Sequence, residues 1–173
     1  ILTGRPTPGA IEIPIDLQYA HTLESAARME ELVSLPPDPE MLSSAVSLIK
    51  KSQKRVILVG GGVSTDQARN ALKIFAELIE APVITTANGK GAFPIEHSLH
   101  MGNALMRPPI KKLVKEADLL IAVGTRFQAG SDGMKINMEL PTMIHVDIDP
   151  KVINLTFRAE RGLVSDAELA VNG

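Results

Sequence analysis

Apolar positions along this chain fall into short unbroken runs, without in-and-out alternation, separated by stretches of helical period. The runs at 55–59, 82–86, 118–124 and 142–148 predict strands, and Leu163 with Val164 a short last one. Between them the spacing predicts helices. One starts at Asp38 or Pro39 and continues to about Ser52, with Leu42, Ala45, Val46 and Ile49 on one stripe. A second covers 65–79, where Ala68, Ala71, Leu72, Phe75, Ala76 and Ile79 repeat at helical spacing, and a third covers 109–116. A helical turn is expected at 152–157, and Asp166 can cap a helix beginning at Ala167. Strands that are apolar throughout and alternate with helices predict an α/β fold, a Rossmann-like parallel sheet with helices on both faces.

The first part of the chain stands outside this pattern. Residues 11–17 read as a strand with no preceding helix or turn to pair with, and Pro36-Pro37-Asp38-Pro39 reads as an extended linker. The expected division is therefore 1–36, the end of a preceding unit plus linker, and 37–173, the main domain. The opening at Ile1 and the close at Gly173, inside an expected helix, read as a piece of a longer protein.

Composition narrows the choice of function. With 173 residues, 45% of them hydrophobic, the chain can bury one core. A net charge of -2 without a basic run gives no footprint for nucleic acid or an anionic membrane, and no apolar stretch is long enough to span a bilayer. The absence of cysteine removes disulfides, thiolate metal sites and thiol catalysis, and fits a cytoplasmic protein. Four Phe, one Tyr and no Trp leave little to stack on bases.

Candidate chemistry gathers where the predicted strands end, because ligands of open parallel sheets sit beyond the carboxyl ends of the strands. Gly60, Gly61 and Gly62 close the first strand of the main domain, in a turn that serves either close packing or a phosphate cradle. Thr65 stands where a dinucleotide fingerprint has its third glycine. Thr85 and Thr86 end the second strand, where an NAD-binding unit carries a ribose-binding carboxylate. Gly124, Thr125 and Arg126 end the third, with a guanidinium that can grip a phosphate or pair with a surface carboxylate. Asp147 and Asp149 flank Ile148 at the end of the fourth, able to hold ribose hydroxyls or a ring amine, while Asp149 before Pro150 equally suits an Asx turn. His97 and His100 lack a third metal ligand and read as a loop pair, and His145 reads as a sheet-face histidine. No nucleophile elbow, Walker loop or zinc-protease motif is present, so no catalytic residue and no metal site is assigned.

Together, Gly9-Ala-Ile-Glu-Ile-Pro-Ile-Asp16, Val59-Gly-Gly-Gly62, Pro82-Val-Ile-Thr-Thr86, Gly89-Lys-Gly-Ala-Phe-Pro94, Ala117-Asp-Leu-Leu-Ile-Ala-Val-Gly-Thr-Arg-Phe127, His145-Val-Asp-Ile-Asp-Pro150 and Ser165-Asp-Ala167 carry a resemblance. In this order they resemble the central domain of thiamine diphosphate-dependent enzymes, most closely the acetolactate synthase group. The resemblance implies that residues 1 to about 16 correspond to the last strand of a pyrimidine-binding domain, and that a diphosphate-binding domain follows residue 173.

The resemblance also implies a parent enzyme, a transferase or lyase. It would use thiamine diphosphate and Mg2+, bound outside these residues, to decarboxylate a 2-oxo acid and pass the carbanion equivalent to an acceptor. These residues alone would then be catalytically silent. Partners would be the two neighbouring domains, in a homo-oligomeric parent. In such relatives the central domain holds FAD, ADP or nothing. The positions that would line the nucleotide here are Gly60, Gly61, Gly62, Thr85, Gly102, Gly124, Arg126, Asp147, Ile148, Asp166 and Ala167. Two places depart from the flavin-binding pattern. Met101-Gly-Asn-Ala104 stands for Gly-Met-His-Gly, and Phe127-Gln-Ala-Gly130 for an acidic Phe-Asp-Asp run, which moves the expectation toward ADP or an empty site. Ser131-Asp-Gly133 resembles the metal motif only superficially and reads as a turn. A ligand-free scaffold that spaces the catalytic domains is the alternative. A sirtuin-like NAD enzyme is disfavoured by the missing zinc cysteines.

Overall fold

The computed structural model describes residues 4–5, 7–25, 34–103, 105–127 and 138–173. By its contacts the chain divides into two units, 1–33 and 34–173.

In the first unit the expected strand at 11–17 does not form. Residues 7–14 pair with no strand among the described residues, and a single helical turn, α1 (Ile15–Gln18), follows Pro14. The Leu17 amide donates to the Pro14 carbonyl at 3.1 Å. A strand is stable only against a partner ladder, and without one a local turn satisfies the backbone instead. Ile11, Ile13, Ile15, Leu17 and Tyr19 are left exposed.

In the second unit every expected strand and helix forms, with ends shifted by a residue or two. α2 (Pro39–Lys51) opens on Asp38, whose carboxylate accepts from the Glu40 and Met41 amides, and carries Lys50 and Lys51 in its last turn. α3 (Asp66–Leu78) is capped by Thr65, whose hydroxyl accepts from the Ala68 amide at 3.1 Å. α4 (Pro108–Glu116) begins with proline at its first position, where the missing N–H costs nothing. α5 (Ala167–Asn172) is capped by Asp166. Where a helical turn is expected at 152–157, residues 151–155 form successive turns and 156–157 a bend, with Asn154 at φ +64°.

β1 (Arg55–Val59), β2 (Val83–Thr85), β3 (Leu119–Val123), β4 (Thr142–Asp147) and β5 (Arg161–Val164) make one parallel sheet in the order β2-β1-β3-β4-β5. From β1 the chain steps outward through α3 to β2, then returns through α4 across β1 to β3. Right-handed crossovers in opposite directions require α3 and α4 to lie on opposite faces. They do: Leu72 and Ala76 of α3 pack with Ile57, Val59 and Ile121, whereas Val114 of α4 packs with Val56, Leu58 and Leu120. α2 and α5 join α3, and the other face is completed by Phe127, Met138, Leu140 and Phe157 from irregular chain. Burial on both faces is why β3 is apolar at every position.

The connection after β2 is more ordered than its polar sequence predicts. A 3-10 turn (Ala87–Gly89) follows the strand, and residues 99–102 then run beside β2. Val83 N donates to Leu99 O at 2.7 Å, Met101 N to Val83 O at 2.8 Å and Thr85 N to Gly102 O at 2.9 Å. Backbone that would otherwise be an open sheet edge is satisfied there.

Candidate functional site at the carboxyl edge of the sheet

The strand ends lie side by side because parallel pairing continues past the last residue of each strand. Thr86 N donates to Val59 O at 2.8 Å, Gly60 N to Val123 O at 2.9 Å, Gly124 N to Val146 O at 2.8 Å and Ser165 N to Asp147 O at 3.1 Å. With Thr85 N on Gly102 O, one run of hydrogen bonds crosses the whole edge. Gly60 to Gly62, Thr85, Gly102, Gly124 to Arg126, Asp147 and Ile148 are therefore brought to one rim.

The glycines have a specific task at this rim. A Cβ on Gly60 would overlap the Gly124 carbonyl oxygen and stand 2.7 Å from the Thr125 Cα; one on Gly62 would stand 2.7 Å from the Gly124 Cα. Gly124 itself has φ +60°, and a Cβ on Gly89 would overlap the Val59 carbonyl. Four glycines thus let three loops pack backbone against backbone at the β1/β3 switch point. Of the two readings of Gly60 to Gly62, close packing is the one these distances show for Gly60 and Gly62. Their amides are also engaged, Gly60 N on Val123 O and Gly62 N on Gly124 O at 3.0 Å. Gly61 is exposed, and its amide makes no hydrogen bond to the described residues.

Beyond the glycines the rim is open and polar. Gly102 has φ +93°, and the space a Cβ would occupy is empty within 4 Å. The Thr85 side chain is buried, with its hydroxyl 3.4 Å from the Gly102 carbonyl. Arg126 is half-buried, and its guanidinium has no ion pair among the described residues. Its carbonyl accepts from the Thr156 hydroxyl at 3.3 Å. Asp147 is buried and accepts the Asp149 amide through Oδ1 at 3.0 Å, while Asp149 accepts the Lys151 amide at 3.0 Å. The Asx-turn reading of Asp149 is thus seen directly, and Asp147 Oδ2 accepts no hydrogen bond from the described residues. Asp166 accepts the Glu168 amide at 2.9 Å as the α5 cap, and Ala167 packs into the core below it. Both serve the fold in this arrangement.

His145 is 1% exposed, on the same face as α4. Its Nε2 lies 2.8 Å from the Thr125 carbonyl, and its ring meets Phe127 edge-on at 5.3 Å. Burial pushes its pKa below the usual histidine value, a shift partly offset by the Thr125 carbonyl and the Asp147 charge. The link to Thr125 spans 20 residues of sequence and had no local signal. His97 donates to Glu77 at 2.9 Å and lies near Phe93, and no group of three metal-binding side chains occurs among the described residues. Ala104, residues 128–130 of the second departure, and the turn expected at Ser131-Asp-Gly133 lie outside the described residues. No helix among the described residues is long and apolar enough to cross a membrane.

A separate apolar cavity of about 390 Å³ lies between α2, α3, α5 and the sheet, lined by residues such as Leu42, Ile49, Phe75, Ile144 and Leu163. None of the rim residues contributes to it.

Comparison with known proteins agrees with this architecture. Residues 42–173 match the family model of the thiamine pyrophosphate enzyme central domain. The acetolactate synthase large subunit of Corynebacterium glutamicum is 36% identical over 96% of this chain, which spans 28% of that relative. An acetolactate synthase of Mycobacterium bovis is 35% identical over 98% of the chain and 28% of its own length. Among solved structures, benzoylformate decarboxylase from Polynucleobacter necessarius superposes with a TM-score of 0.71 at 25% identity, over 92% of this chain and 30% of that one. The chain spans less than a third of the length of these relatives. By its motifs, its sheet order and the match over most of its length, the chain belongs to the family of thiamine pyrophosphate enzyme central domains.

Proposed function

We propose that this chain is the nucleotide-holding middle domain of a thiamine diphosphate-dependent 2-oxo acid decarboxylase or carboligase of the acetolactate synthase type. FAD or ADP serves there as a structural ligand. Thiamine diphosphate and Mg2+ are bound in the parent by the pyrimidine- and diphosphate-binding domains, which this domain, beginning near residue 37, spaces apart in a homo-oligomer. When bound, that cofactor supplies the carbanion chemistry. The present residues hold and orient a nucleotide.

The observation that carries this reading is the Arg126 guanidinium, without an ion pair among the described residues, on the same edge as the Gly61 amide, Gly102 and the Asp147 carboxylate. Arg126 would clamp a phosphate with its planar fork, the Gly61 amide would add one donor, and Asp147 Oδ2 would accept from a ribose hydroxyl. A ligand-free scaffold is favoured by one observation, the engagement of Gly60 and Gly62 in backbone packing rather than in a phosphate cradle. Calorimetric titration of the full chain with ADP, and separately with FAD, tests the choice. Saturable binding that falls about tenfold in Arg126→Ala supports the nucleotide site; no heat at millimolar ligand leaves the scaffold.

A further inference from the structure

Leucine would fill the space of His145 without the cost of burying a polar ring in which a hydrogen-bonding atom goes unpaired. That cost is visible. The Thr125 carbonyl can only accept, so Nε2 carries the proton, and Nδ1 is left as a buried acceptor with no hydrogen bond among the described residues. The imidazole therefore contributes something an apolar side chain cannot, and the polar contact it makes among the described residues is with Thr125.

That contact falls at a strained place. Gly124 at φ +60° and Phe127 at φ +53° bracket Thr125 and Arg126, and a non-glycine residue in the left-handed region brings its Cβ against the following carbonyl oxygen. Among the described residues, two hydrogen bonds and two ring contacts hold the turn. His145 takes the Thr125 carbonyl, the Thr156 hydroxyl takes the Arg126 carbonyl, and the Phe127 ring sits edge-on to His145 and to Phe157 at 5.1 Å. Inside the turn, the Phe127 amide donates to the Thr125 hydroxyl at 3.3 Å. Ala122, the β3 partner of His145 in register, is small enough to leave room for the ring. Backbone is thus pinned on both sides of a residue whose cationic head is unpaired among the described residues.

We propose that His145 is a positioning residue of the rim: by donating Nε2–H to the Thr125 carbonyl it fixes the 124–127 turn and so presents Arg126 to an anionic ligand. The ligand consequence rests on the nucleotide reading above; the hydrogen bond and the turn do not.

The test uses the full chain and ADP as probe. Ring-nitrogen NMR of His145 at neutral pH should show the neutral Nε2–H tautomer, and an Nδ1–H tautomer or a cation there would overturn the proposal. His145→Leu should weaken ADP binding about tenfold, whereas His145→Gln, whose amide can donate in the same direction, should stay within about threefold. His145→Leu combined with Arg126→Ala should lose no more than Arg126→Ala alone, because the first acts through the second. Unchanged ADP affinity in His145→Leu, or additive losses, would overturn the proposal. If the unsubstituted chain binds neither ADP nor FAD, the nucleotide reading fails, and amide exchange decides the inference alone. His145→Leu must then speed exchange at 124–127 while β1 and β3 stay protected, and uniform loss of protection counts against it. If His145→Leu does not fold, the tautomer and the same exchange measurement on His145→Gln, expected to match the unsubstituted chain, decide.

Discussion

At the carboxyl edge two neighbouring stretches are built by opposite means. Around the ends of β1 and β3, Gly60, Gly62, Gly89 and Gly124 bring backbone onto backbone and use up their own amides. A few residues away, Gly102 faces open space, the half-buried Arg126 has no ion pair among the described residues, and the buried Asp147 carboxylate accepts the Asp149 amide through Oδ1. The contrast shows that a glycine at a strand end answers first to whatever lies against its Cα. Where that is another backbone, the glycine is part of the fold. Where it is open space, the position is available to a ligand. In the run of three glycines all three Cβ positions meet neighbouring chain, Gly61 more loosely with Asn88 O at 3.1 Å, and what Gly61 offers a ligand is its amide, which makes no hydrogen bond to the described residues.

The largest effect should come from the closed stretch. Gly60→Ala places a methyl group on the Gly124 carbonyl and against the Thr125 Cα, neither of which can rotate away. A loss of about 3 kcal/mol or more is expected in denaturant unfolding. A loss under about 1 kcal/mol would mean that the loops yield and that the packing argument fails. Gly91→Ala is the matched control, since Gly91 has φ +82° but nothing within 4 Å of its Cβ position. It should show only backbone strain, about 1 kcal/mol.

A smaller effect follows from His145. Its folded pKa lies below the unfolded value near 6.5, so the unfolded chain binds the proton first as pH falls. The stability contribution is complete above the unfolded pKa and is lost as pH falls through the folded one. Melting temperatures measured from pH 7.5 downward should drop below about 6.5, and less steeply in His145→Gln. Equal slopes for both proteins would show that other groups govern the acid limb.

The smallest stability effect should belong to the open stretch. Arg126→Ala removes a half-buried cation without an ion pair among the described residues, so unfolding should change by no more than about 0.5 kcal/mol, while ADP affinity falls. A substitution that cost both equally would place Arg126 with the packing glycines and erase the distinction between the two stretches.

Much of this was legible from residue order alone, for reasons that differ by element. β1 and β3 stand out because burial on both faces forces an unbroken apolar run. Asp38, Thr65 and Asp166 announce helix starts because a capping oxygen satisfies amides within a few residues. Local signals end where the cause is distant. Residues 99–102 pair with β2 through backbone groups that every residue carries, so nothing in their side chains marks the pairing. Residues 11–17 have the side chains of a strand and no partner strand among the described residues, and a turn forms instead. The rim residues could be gathered by strand ends, but which glycines face backbone and which face open space depends on loops distant in sequence, as with Gly60 against Gly124 and Gly89 against Val59.

Where the ligand sits is decided by amide chemical-shift mapping of the full chain during ADP titration. Shifts concentrated at Gly61, Gly102, 124–127 and Asp147 are the predicted result. Shifts concentrated instead around the apolar cavity, at Leu42, Ile49 and Phe75, with the rim unmoved, would contradict it.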